Sequence, residues 1–91
     1  IAKLRAQAHS LNPTVVVGQS GVTDSIVREI KRALEDHELI KIKSHSEDRE
    51  ERQAQFAAIA EKTMCQPIQT IGKIFVCYKK SKKKGISPIN P

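Results

Sequence analysis

Hydrophobic and polar positions along this chain change period several times. Ile1, Leu4, Ala8 and Leu11 recur at helical spacing while Lys3 and Arg5 point elsewhere, which predicts a short helix over residues 1–10. Asn12-Pro13 ends it, because a residue before proline is pushed to extended backbone. Thr14-Val15-Val16-Val17 is β-branched and short, and reads as a strand. Ile26, Ile30, Ala33 and Leu34 form the buried stripe of a second helix over residues 24–36. Thr23 is its expected N-cap, with Val22 and Val27 as a hydrophobic staple. From Leu39 to Ser44 the period is two, with Ile40 and Ile42 on one face and Lys41 and Lys43 on the other.

A third helix is expected over residues 47–64, capped by Ser46, with Glu47 and Asp48 placed for its dipole. Its first half is polar all round; Phe56, Ile59, Ala60 and Thr63 or Met64 are the expected buried positions of its second half. Arg49 and Arg52 lie among acids and read as paired on a solvated face. Pro67 opens a strand through Ile71, Gly72-Lys73 turns the chain, and residues 74–79 return as the last strand. The predicted fold class is α/β, a single compact domain of order α-β-α-β-α-β-β. A small mixed sheet is expected, parallel where helices alternate with strands and antiparallel in the last hairpin. Strand order is not readable from this pattern.

The chain has 91 residues, with 16 Lys and Arg against 10 Asp and Glu, for a net charge of +6. A chain of this length buries roughly 65% of its unfolded surface, enough for one modest core. Lys79, Lys80, Lys82, Lys83 and Lys84 hold most of the excess charge, so the rest is nearly neutral. Residues 1–79 are read as the domain and 80–91 as a flexible Lys-rich tail. The basic balance favours a polyanionic partner. Cys65 and Cys77 form no CxxC pair and have no histidine at ligand spacing, which speaks against zinc; both read as buried thiols. The apolar runs are too short to span a membrane, and no signal peptide is visible. The expectation is a cytoplasmic monomer. The chain starts at Ile1, so a preceding targeting segment stays open.

The most informative segment is Gly18-Gln19-Ser20-Gly21, between the first strand and the second helix. Glycines permit a sharp turn and keep Cβ atoms away from a ligand. The following helix start presents unpaired N–H groups and the positive end of a dipole, which suits a phosphate. A GxxG loop clamps the nucleic-acid backbone in KH domains, although a plain strand-to-helix turn has the same spacing. The N–H groups of residues Gln19 to Val22 are the candidate donors, so Gly18, Gln19, Ser20, Gly21 and Val22 form the candidate site. Lys3, Arg5, Lys31, Lys41 and Lys43 are expected to extend a positive surface around it. With one Tyr, two Phe and no Trp there is no aromatic stacking platform, and Phe56 and Phe75 read as core. His9 follows the family pattern described next and could reach RNA or serve packing; His37 suits a helix C-terminus.

These residues carry a resemblance. Ala8-His9-Ser10-Leu11-Asn12-Pro13, then Val15 to Thr23, Glu29-Ile30, Ala33-Leu34, His37 to Lys43, Asp48-Arg49-Glu50, Ile71-Gly72-Lys73 and Val76 to Lys79 together resemble the CRM domain (chloroplast RNA splicing and ribosome maturation) in its stand-alone bacterial YhbY-like form. The likeness implies a fold similar to the C-terminal domain of the third bacterial translation initiation factor. It also implies RNA binding and association with precursors of the large ribosomal subunit. The family commonly has Asn where this chain has Ser20, and Leu-Tyr-Arg where it has Cys77-Tyr78-Lys79. Lys79 is thereby a candidate RNA contact, without the bidentate geometry of arginine.

No catalytic residues, metal or cofactor are expected. Glu47, Asp48, Glu50 and Glu51 crowd one polar helical stretch instead of converging on a pocket, and no nucleophile–base pair stands out. A small-molecule substrate is likewise not expected. The competing expectation is a protein–protein adaptor that uses the polar half of the third helix.

Overall fold

The computed structural model describes residues 11–81, so the predicted first helix, with Lys3, Arg5 and His9, lies outside the described residues. Strand β1 is Val15–Val17 and helix α1 is Asp24–His37. Strand β2 is Leu39–Ser44, helix α2 Arg49–Thr63, strand β3 Gln66–Ile71 and strand β4 Ile74–Tyr78. The sheet order is β1-β2-β4-β3. β1 and β2 are parallel, with Val16 opposite Lys43 and Val17 opposite Ser44. β4 runs antiparallel to both β2 and β3, so it fills the gap that the β2-α2-β3 crossover leaves open. The parallel and antiparallel pairings are as expected from element order.

The period-2 pattern of β2 sorts its faces. Ile40 and Ile42 join Val15, Val17, Phe75 and Cys77 in a core with Ile30, Ala33 and Leu34 of α1 and Phe56 and Ile59 of α2. Phe56 and Phe75 stack with centroids 4.8 Å apart. A smaller cluster of strand residues, Ile68 and Val76 with Leu39, Ile74 and Tyr78, occupies the opposite face. Both described helices therefore cover one side of the sheet. Cys65 and Cys77 are free and buried, as expected.

Two local expectations need correction, and one open alternative is resolved. In α1 the first buried position is Val27, while Ile26 packs half-buried against the core. In α2 the N-cap is Asp48, whose carboxylate accepts from the N–H of Glu50 at 3.0 Å. Ser46 is held outside the helix, because its N–H donates to Ser44 Oγ and its hydroxyl accepts from Asp48 N–H. The helix therefore starts two residues later, on an equally good cap. At the other end Thr63 is buried while Met64, in the left-handed conformation (φ 61°), is 76% exposed.

The chain past β4 is anchored by the end of α1. Glu38 closes that helix at φ 64°, and its carbonyl accepts from the N–H of Lys79 at 2.9 Å. Its carboxylate accepts from the N–H of Ser81 at 2.8 Å, and Ser81 is buried.

Candidate nucleic-acid interface

The loop is built by its two neighbours. β1 ends at Val17, whose carbonyl accepts from His45 N–H at 2.9 Å, and this fixes the point where the chain leaves the sheet. Thr23 caps α1 as expected, its Oγ1 accepting from Ile26 N–H at 3.1 Å. Between them Gly21 N–H donates to Gly18 carbonyl at 3.1 Å, which closes a four-residue turn. Gly21 sits at φ +75°, a conformation that a Cβ makes costly. Gly18 lies outside that region, and a Cβ built on it meets nothing within 4 Å.

This turn narrows the set of candidate donors. The N–H of Gly21 is spent inside the loop, and that of Thr23 goes to the Gly21 carbonyl at 3.1 Å. Gln19, Ser20 and Val22 make no such bond, and Gln19 and Ser20 are exposed. Asp24 in the first turn of α1 matches the dipole and adds a negative charge two residues after Val22.

The cations expected around the loop do not share one surface. Lys31 is exposed on α1, in the helical layer. Lys41 and Lys43 lie on the other face of the sheet, opposite to Ile40 and Ile42. Lys43 is exposed and pairs with Val16, one step before the loop's entry, so it is the lysine of β2 nearest to Gly18. Lys79 is at the far end. It follows Tyr78, which pairs with the first residue of β2, whereas the loop follows Val17, which pairs with the last. At about 3.3 Å per strand residue the two points are about 20 Å apart. Lys79 Nζ donates to the carbonyl of Thr63 at 2.9 Å instead.

The polar start of α2 differs from expectation too. Arg52 is not paired with an acid: its Nε donates to Gly72 carbonyl at 3.1 Å and its Nη1 to Ser46 carbonyl at 3.0 Å. It ties the β3–β4 turn to the β2–α2 crossover. Ser44 Oγ donates to Gln55 Oε1 at 2.6 Å within the same corner. Among the described residues the one ion pair is Lys73 with Glu47, at 2.6 Å. That ammonium, by hydrogen bond and by charge, holds the Glu47 carboxyl below its ordinary range. Arg28, Lys31, Arg32 and Arg49 are exposed and in no ion pair. Arg28 and Arg32, on the helix that follows the glycine loop, are exposed cations beyond those expected around it.

No described helix is long and apolar enough to cross a membrane, and no described cluster of His, Cys, Asp and Glu has the makings of a metal site.

Comparison with known proteins gives a consistent picture. A Haemophilus influenzae protein named an RNA-binding protein is 43% identical over 83 residues, covering 91% of this chain and 84% of the relative. A Bacillus subtilis protein named a probable RNA-binding protein is 39% identical over 80 residues, 88% of this chain and 83% of the relative. A Pseudomonas aeruginosa protein, also named a probable RNA-binding protein, is 33% identical over 90 residues, 97% and 86% of the two chains. Among solved structures, a hypothetical Staphylococcus aureus protein described as a candidate RNA-binding protein superposes with a TM-score of 0.78 at 28% identity, covering 89% of this chain and 84% of that one. The CRS1/YhbY (CRM) domain matches residues 1–79. With that match over most of its length and relatives of up to 43% identity, the chain belongs to the CRS1/YhbY (CRM) domain family.

Proposed function

We propose that this protein is a non-catalytic RNA-binding protein whose GxxG loop grips the sugar–phosphate backbone of ribosomal RNA, and that it assists assembly of the large ribosomal subunit. Family membership and the RNA-binding names of three relatives support the RNA partner. The observation that carries the loop is Gly18. The fold gives it neither a left-handed backbone nor a crowded Cβ position, so its missing side chain has no internal reason. Close approach of an external strand supplies one. Beside it Gln19 and Ser20 are exposed and their N–H groups make no backbone hydrogen bond, Val22 N–H makes none either, and Lys43 stands near the strand end. Backbone donors read phosphates and position a strand without reading bases.

The adaptor reading has less support. Arg52 and Ser46 are held by contacts within the protein, and Glu47 and Glu51 stay exposed on the surface.

The test replaces Gln19 and Ser20 with Asp. Two carboxylates at the loop tip repel phosphate, so affinity for a fragment of large-subunit ribosomal RNA drops at least tenfold at low salt while the thermal transition is retained. Unchanged affinity in the folded variant removes the clamp. Failure of the wild-type protein to shift any structured RNA removes RNA binding altogether.

A further inference from the structure

The register of the sheet sets four side chains in one row across it. Val16 of β1 stands opposite Lys43 of β2, Lys43 opposite Ile74 of β4, and Ile74 opposite Ile71 of β3. Side chains opposed in this way share a face. Here it is the face turned away from both described helices, since the adjacent Val17, Ile42 and Phe75 point into the core. At about 4.8 Å between neighbouring strands the row is about 14 Å long. It lies at the end of the sheet that carries the glycine loop, because Gly18 is two residues past Val16.

The row is apolar where a solvated face would be polar. Among the described residues the exposed large apolar side chains are Val16, Met64 and Ile71, and two of these, Val16 at 43% and Ile71 at 55%, are the two ends of the row. Between them Ile74 is half-buried and Lys43 exposed. One row further from the loop the same face is closed, with Val76 and Ile68 buried. The face is also free of negative charge. None of the 10 Asp and Glu residues lies on a strand, and Lys41 and Lys43 are the charged side chains of all four. The carboxylates at the loop end belong to the helix starts on the covered side: Asp24 opens α1, Asp48 caps α2, and Glu50 and Glu51 follow it. Glu47 is paired with Lys73.

We propose that the row Val16, Lys43, Ile74 and Ile71 takes the bases of a single-stranded RNA segment whose backbone is held at Gly18–Gly21, with Lys43 meeting a phosphate within the row. This rests on the reading of the loop as a backbone clamp, and adds the face that the RNA follows and the apolar contact it makes there. A nucleobase has two broad apolar faces, and packing one on aliphatic side chains removes apolar area of both partners from water. A duplex keeps those faces stacked inside, so the row selects unpaired RNA. It selects little by sequence, because every base offers such a face. A polyanion meets one lysine and no carboxylate on this face, which an acidic partner protein would share but without the continuity with the loop.

The experiment follows the anisotropy of a fluorescein-labelled single-stranded RNA oligonucleotide, and of an abasic RNA of the same length, at several salt concentrations. Val16→Thr with Ile71→Thr keeps β-branched strand formers and the net charge. The double variant binds the RNA roughly fivefold to tenfold more weakly, as expected for the apolar area lost. Its slope of log K against log salt stays that of wild type, and so does its affinity for the abasic probe. Lys43→Gln makes the slope shallower by roughly 0.7, one contact to a single strand. Met64→Gln alters an exposed apolar side chain at the end of α2, away from the row, and binds as wild type. Wild-type affinity for RNA in the folded threonine variant overturns the row and leaves the loop reading intact, since that rests on the Gln19 and Ser20 variant. An equal loss on the abasic probe also overturns it, because the bases then play no part. A wild-type dimer that the threonine variant turns into a monomer in sedimentation equilibrium gives the row to a second copy and overturns it too. A wild-type protein that binds neither probe overturns both readings at once.

Discussion

The ammonium of Lys79 donates to the carbonyl of Thr63 at 2.9 Å and so closes the C-terminal end of α2 from the neighbouring strand. The same residue's N–H donates to the Glu38 carbonyl at the end of α1. One residue after β4 thus ties down both helices on the side of the domain away from the glycine loop. The orphan carbonyls of a helix end need such partners, and a cation also matches the local dipole.

Lys79→Met therefore acts on stability more than on binding. Loss of one charge-assisted hydrogen bond, partly exposed, costs about 1–2 kcal/mol. For a domain of this size that is a fall in Tm of roughly 5–10 °C. RNA affinity of the folded variant stays within about twofold of wild type. A tenfold loss of affinity would return Lys79 to the binding surface.

Gly18 and Gly21 separate function from fold. Gly21 is at φ +75°, so Gly21→Ala costs about 1–2 kcal/mol. Gly18→Ala meets no atom and no forbidden conformation; restricting the unfolded chain makes it neutral to stabilising by about 0.4–1 kcal/mol. Its RNA affinity nevertheless falls, because the added methyl holds a strand away from the loop. Paired thermal melts and binding isotherms check both halves.

Asp24 opposes two effects. Its carboxylate matches the positive end of α1, a contribution of about 0.3–1 kcal/mol. It also repels a phosphate at Gln19 and Ser20. Asp24→Asn is then slightly less stable and binds RNA severalfold more tightly at low salt. The gain disappears at high salt, where the exposed charge is screened.

The buried thiols give stability a pH dependence. The Cys77 thiol donates to the Cys65 sulfur, and this holds Cys65 well below its ordinary value against the opposing effect of burial; Thr63 and Lys79 add to the lowering. Cys77, as the donor and in a buried place beside that sulfur, is pushed well up. Between the lowered Cys65 value and the ordinary thiol range the unfolded chain binds more protons than the folded one, so stability rises with pH. Above the ordinary thiol range Cys77 ionises only on unfolding, and stability falls again. Urea midpoints across that span trace a maximum. Cys65→Ser abolishes the rising limb, and Cys77→Ala moves the Cys65 titration upward when thiolate absorbance is followed.

Much of the local structure was legible in the residues. The β-branched run of β1, the alternation of β2, the Thr23 cap and the Gly72-Lys73 turn depend on neighbours a few positions away, and each formed where the pattern placed it. The α2 start was misplaced by two residues because Ser46 and Asp48 are both good caps, and the choice was made by Ser44 and the crossover. The pairing of Arg49 and Arg52 with nearby acids failed for a similar reason. Arg52 found two carbonyls, one of them twenty positions away, that no periodicity reveals.

Composition and period by themselves determined the fold class, the motifs taken together along the chain carried the resemblance to the family, and the glycine loop marked the corner where binding is proposed. Only the tertiary structure decided which of the cations share a face. Lys31 and Lys41 lie ten positions apart in the chain and on opposite sides of the sheet, while Arg32 stands on the helix that the loop opens. Side-chain period is a property of one element, whereas a shared surface depends on how the insertion of β4 beside β2 and the packing of both described helices on one face orient the elements against each other.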